Sequence, residues 1–190
     1  MSAAVQIANT QSVPEHRPQS RLRSGMNITL WILQVLAGVS FCITGFGKMM
    51  CYRQDIWEQT LHQPVPWFSA VPQALFVFIG VSEFLGGVGL ILPALTRVKP
   101  KLTAYASIGL TVVMILAALF HIVRGGEYNF VRINLISAAV TALIVYGRLT
   151  LRPVIPKSLS AIRIVSGLAV LGALVLVSSA PLWYMLTHTH

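Results

Sequence analysis

Glu83, Lys48, His121 and Asn134 are the side chains of this chain best suited to chemistry. An acid, an ammonium, an imidazole and a carboxamide can together hold a polar group and exchange protons with it. Their setting makes them informative. Glu83 stands near the middle of the apolar run 74–92, within FIGVSEFLGGVGLILP. Lys48, His121 and Asn134 fall in the end turns of three other apolar runs. An ionised carboxylate left unpaired in hydrocarbon costs several kcal/mol. Glu83 must therefore be neutral, paired or facing water. It is read as a candidate pocket or proton site with the other three, or else as a residue that fixes helix register.

Other chemistries are thinly supplied. His121 is the only histidine inside an apolar run, so a haem held between two histidines of this chain is not expected. His62, His188 and His190 are too sparse to suggest a metal site. No HExxH, glycine-rich phosphate loop or nucleophile elbow is present. No catalytic residue is assigned, and no cofactor is evident from the residues themselves. Cys42 and Cys51 are nine residues apart, about 13 Å along a helix. A disulfide allows roughly 4.4–6.8 Å between Cα atoms, so both read as free thiols.

The elements that must position these groups follow from composition. The chain has 190 residues, 55% hydrophobic and 10% charged, with mean hydropathy +0.74. Soluble domains carry about 25% charged residues. The balance indicates an all-α membrane protein. The net charge of +9 does not indicate nucleic acid, because the cations form short clusters between apolar runs. Five runs are long enough to cross a bilayer: 28–47, 74–92, 102–123, 130–146 and 162–184.

The connectors give an orientation. Arg17, Arg21 and Arg23, then Arg97, Lys99 and Lys101, then Arg148, Arg152, Lys157 and Arg163 all fall on one side. Lys48, Arg53, Arg124 and Arg132 fall on the other. The positive-inside rule puts the N-terminus in the cytoplasm and the C-terminus outside. Residues 1–27 read as a disordered cytoplasmic arm, 149–161 as a basic cytoplasmic linker and 185–190 as a short outer tail. The first span is too long for a cleaved signal and reads as a retained anchor. The connector 49–73, with QPVPWFSAVP, reads as a segment in the head-group layer or as a lid over an outward-facing site.

Within the spans, small and polar residues recur at helical spacing. Gln34, Gly38, Phe41, Gly45 and Lys48 share one face of the first span. Gly80, Glu83 and Gly87 share one face of the second, beside Gly86. Ser107, Thr111, Met114, Ala118 and His121 line the third. Asn134, Ala138, Thr141, Val145 and Arg148 line the fourth. Small residues let helix backbones approach, and hydroxyls bond across the contact. Gly45, Gly80, Gly86, Gly87, Ser107, Thr111 and Thr141 are accordingly expected to pack helices.

GFGKMM, EFLGGVGLILP, MILAALFHIVRGGEYNF and INLISAAVTALIVYGR, in this order and spacing, resemble the DoxX family, especially its DoxX-like branch. The matching positions are Gly45, Lys48, Glu83, Gly86, Gly87, Pro93, His121, Asn134, Tyr146, Gly147 and Arg148. The resemblance implies a four-helix transmembrane core over 28–148 in a bacterial inner membrane. The run at 162–184 is an addition to that pattern. Some relatives are linked to thiosulfate:quinone oxidoreduction, others to membrane complexes that resist oxidative stress. This implies an accessory role in a quinone-linked redox system, with a membrane or soluble redox protein as partner. A non-catalytic assembly or scaffold role is the alternative. A small proton-coupled transporter ranks below both, since no inverted repeat is evident.

Overall fold

The computed structural model describes residues 17–188, except 64, 66, 126, 152 and 159, and leaves the side chains of 17–24, 182 and 184–188 aside. Six α-helices follow in order: α1 (Arg17–Met50), α2 (Gln54–Leu61), α3 (Gln73–Thr96), α4 (Lys101–Arg124), α5 (Tyr128–Tyr146) and α6 (Ala161–His188). A π turn, Gly147–Leu151, continues α5. All but α2 contain a segment long and apolar enough to span a bilayer. Such a segment must satisfy its own backbone, which a helix does.

Helix ends follow local rules. Pro18 sits in the first turn of α1, where its missing N–H costs nothing. Pro72 and Pro100 stand immediately before α3 and α4. Gly125 closes α4 at φ +70°, its N–H shared between the carbonyls of His121 and Ile122.

The long helices alternate in direction. We call the end with Met50, Gln73 and Arg124 the upper end, and that with Thr96 and Lys101 the lower end. α1 packs along α3, α3 along α4, and α4 along α5; α5 returns to touch α1. These four form the bundle, and α6 lies outside it against α1 and α3. The shared core is built from Phe41, Cys42, Leu90, Leu110, Met114 and Ile144, with Leu174 contributed by α6.

Two glycine pairs set the approach of α1 to α3. A Cβ added to Gly80 would stand 2.7 Å from Lys48 Cβ and 2.8 Å from the Gly45 carbonyl oxygen. One added to Gly87 would stand 2.6 Å from the Gly38 carbonyl oxygen and 2.8 Å from Cys42 Sγ. Gly38 and Gly45, like Gly80 and Gly87, are two turns apart, so the antiparallel helices match glycine to glycine twice. Gly86 faces the other way, where its hydrogen meets Leu110 of α4. Between α4 and α5, Ser107 Oγ donates to the Thr141 carbonyl at 2.7 Å, and Thr111 Oγ1 donates to Thr141 Oγ1 at 2.7 Å.

Three boundaries differ from the sequence-based expectation. α1 begins at Arg17, so 17–27 is helical rather than a loose arm; residues 1–16 lie outside the described residues. No proline after Pro18 interrupts that stretch. α6 continues through Pro181 to His188, well into the expected tail. The linker after the π turn has no regular structure at 153–158, but the Lys157 N–H donates to the Arg97 carbonyl at 3.1 Å and ties it to the α3–α4 corner.

The connector between α1 and α3 contains α2 and a short 3-10 turn, Phe68–Ala70. Trp57 is only 8% exposed, and with Cys51, Ile56, Val71 and Phe76 it forms a second apolar cluster. Trp67 and Phe68 pack onto it. The rings of Trp57, on α2, and of Trp67, after it, each pack against Phe76 in the first turn of α3, with centroids 5.5 Å apart. The connector is a cap over the upper end.

Candidate functional site

Glu83 is placed by the glycine match. With Gly80 and Gly87 on the same face, α3 comes close enough to α1 for the carboxylate to meet side chains one helix away. Lys48 Nζ donates to both carboxylate oxygens, at 2.6 and 2.7 Å, and Thr44 Oγ1 donates to Oε2 at 3.2 Å. The Glu83 carboxylate is 3% exposed while the Lys48 side chain is 21% exposed. The lysine stem thus runs from the upper edge of α1 down to a buried acid.

His121 occupies the last turn of α4 and is 4% exposed. Its Nδ1 lies 2.5 Å from Glu127 Oε2. Arg124 Nε donates to the other oxygen at 3.3 Å. The α4–α5 turn, closed by Gly125, brings Glu127 back over the end of α4. Burial pushes the Glu127 carboxyl up, but the hydrogen bond from His121 and the Arg124 guanidinium outweigh it and hold the acid below its ordinary range. The imidazole stacks on Phe130, with centroids 5.1 Å apart, and meets Trp67 edge-on at 5.6 Å. Phe120 closes another side. Trp67 Nε1 is buried and makes no hydrogen bond among the described residues.

The four residues singled out by sequence fall into separate groups. Lys48 and Glu83 are joined. Among the described residues, no hydrogen bond or ion pair links that pair to His121 or to Asn134. Asn134 is half-buried on α5, one turn below Phe130. The seven packing residues lie at the α1–α3, α3–α4 and α4–α5 contacts already described. Among the described residues, no group of three or more His, Cys, Asp and Glu side chains is arranged to hold a metal ion.

The model of the DoxX-like family matches residues 32–144, more than half of the chain. The chain belongs to the DoxX-like family. The match runs from the middle of α1 through most of α5 and includes both upper-end groups, Lys48–Glu83 and His121–Glu127. It leaves α6 outside, so this DoxX-like protein carries its fifth long helix beyond the family's core. No curated protein and no solved structure matches the chain.

Sequence reasoning passed over three partners in this DoxX-like protein. Thr44 sits four residues before Lys48, the helical spacing that puts both on the Glu83 side. Glu127 lies in the loop, where a solvated charge is the ordinary reading; its only signal was being the one acid near His121. The third is a buried network at the lower end. Arg148 Nε donates to Gln34 Oε1 at 2.7 Å, and Gln34 Nε2 donates to the Leu90 carbonyl at 2.5 Å. Gln34 and Arg148 each end a polar stripe, which was the available clue.

Proposed function

We propose that this DoxX-like protein is an accessory subunit of a quinone-linked redox system in a bacterial cytoplasmic membrane. The cation count of the connectors supports an N-terminus in the cytoplasm and a C-terminus outside, with the upper end facing outward. The observation that carries the reading is the His121–Glu127 pair, buried under a folded cap at one end of a membrane bundle. The donor set fits a quinone carbonyl: Trp67 Nε1 is buried without a partner beside the imidazole. A bound quinone would supply reversible two-electron, two-proton chemistry. Glu127 orients the ring of His121 through Nδ1, which leaves Nε2 to meet a ligand oxygen or proton. Phe130 and Trp67 pack against the imidazole ring and hold it in place.

Purification in mild detergent followed by solvent extraction tests this. Quinone is expected with the wild-type protein and reduced about tenfold in His121→Ala, the loss of one strong hydrogen bond. A wild-type protein free of quinone, with an unchanged membrane quinone redox state on gene deletion, overturns it.

The scaffold reading keeps one observation of its own. Lys48 and Glu83 satisfy each other, as a residue pair that only fixes helix register would. Full function in Glu83→Gln, with loss in Gly87→Leu, favours it.

A further inference from the structure

The lower end holds a second buried charge that the proposed redox role does not use. Arg148 lies in the π turn and is 5% exposed. A guanidinium stays protonated in proteins and offers five N–H donors. Its described partners are all neutral. Nε donates to Gln34 Oε1 at 2.7 Å, Nη1 donates to Asn27 Oδ1 at 3.1 Å, and the plane lies over the Trp31 ring at 4.9 Å. Nη2 is buried and has no hydrogen-bond partner among the described residues.

Among the described residues, no acid is placed to compensate it. The chain has five carboxylate side chains. Asp55, Glu58, Glu83 and Glu127 all belong to the upper half, and Glu15 lies outside the described residues. The lower end instead gathers Arg97, Lys99, Lys101 and Lys157, all exposed, with Lys157 bonded through its N–H to the Arg97 carbonyl. A buried ion without a counter-ion is strongly disfavoured, and the described charges of the lower end are all positive.

We propose that Arg148 binds a phosphate group at the lower membrane face, from an anionic phospholipid head group or from free phosphate. The guanidinium fork matches two oxygens of a phosphate. The depth fits a head group: Arg148 stands three residues from the end of the span Tyr128–Leu151, and Asn27 two residues from the start of Gly25–Met50. Gln34 keeps Nε. Asn27 is half-buried and gives way. One phosphate oxygen replaces Asn27 Oδ1 on Nη1, and a second takes Nη2. Trp31 holds the guanidinium plane, and the exposed lysines draw anions to this face.

The test uses the full chain in mild detergent. Native mass spectrometry after exchange into phosphatidylglycerol-doped micelles reads retained lipid, and thermal unfolding with and without inorganic phosphate reads the free ion. The expected result is about tenfold less retained phosphatidylglycerol in Arg148→Gln, with Lys101→Gln near wild type. A phosphate-dependent rise in Tm lost only in Arg148→Gln, without a change in lipid retention, assigns the site to free phosphate instead. Equal lipid retention and equal phosphate response in wild type and Arg148→Gln overturn the proposal. So does an equal loss in Lys101→Gln, which marks diffuse attraction. If Arg148→Gln does not fold, Asn27→Ala decides. It frees the fork and is expected to retain at least as much ligand as wild type; a fall to background overturns the site.

Discussion

Lys48 of α1 and Glu83 of α3 are joined by two hydrogen bonds, at 2.6 and 2.7 Å, across a contact that glycine makes possible. The pair is unequal. The acid is almost wholly enclosed, whereas the lysine retains a path toward the upper surface. Removing either partner therefore has a different cost.

Lys48→Met leaves a buried carboxylate without its counter-ion and is expected to destabilise by about 3 kcal/mol. Glu83→Gln leaves a lysine that can swing to water and is expected to cost about 1 kcal/mol. The double variant Lys48→Met/Glu83→Leu should recover much of the loss. Unfolding in detergent across this double-mutant cycle checks the order; equal single losses would contradict it.

The glycine match predicts a contrast within one helix. A Cβ at Gly45 would collide with backbone atoms of α3, including the Gly80 carbonyl oxygen at 2.7 Å, while nothing lies within 4 Å of one at Gly47. Gly45→Ala should cost about 2 kcal/mol through overpacking. Gly47→Ala should be neutral or slightly stabilising, since alanine is the better helix former. The same unfolding assay reads both.

Glu127 predicts an acid limb. A carboxyl held below its ordinary range stabilises the fold above its unfolded value of about 4.3. That contribution is lost as pH falls through the folded value. Wild type should exceed Glu127→Gln in Tm at pH 6–7, and the gap should close as the pH is lowered well below about 4. A gap that is constant with pH would mean that Glu127 acts by packing alone.

Cys51 is buried against α2, and burial raises its thiol above the ordinary range, with the Thr60 hydrogen bond opposing. Maleimide labelling of the native protein at neutral pH should be at least about tenfold slower than for a free thiol. It should accelerate when the cap is unfolded. Fast labelling of the native state would show that the connector opens readily.

Much of the membrane-spanning core was legible from residue order. The polar stripes at helical spacing are the faces that the bundle buries: Gln34, Gly38 and Gly45 on α1, Ser107, Met114 and His121 on α4, Ala138 and Thr141 on α5. Period and hydropathy suffice for this, because a helix in lipid has one way to satisfy its backbone. The cap was harder to read. Trp57 and Trp67 carry the same composition whether they lie in head groups or in a protein core, and only the tertiary contact of both rings with Phe76 places them.

The sequence by itself determined five helices long and apolar enough to cross a membrane, the face that each of the first four buries, and the need for Glu83 to find a partner. Those follow from local period and from the cost of charge in hydrocarbon. The tertiary structure decided which partner each charge found. Lys48 reached Glu83 because Gly45 and Gly80 let two helices close. Glu127 reached His121 because a tight turn folded it back. Arg148, which the sequence shows both as a connector cation and as the end of the fourth stripe, is buried on Gln34 because α5 returns to α1. Pairings between distant residues depend on how helices approach, and no local spacing encodes that distance.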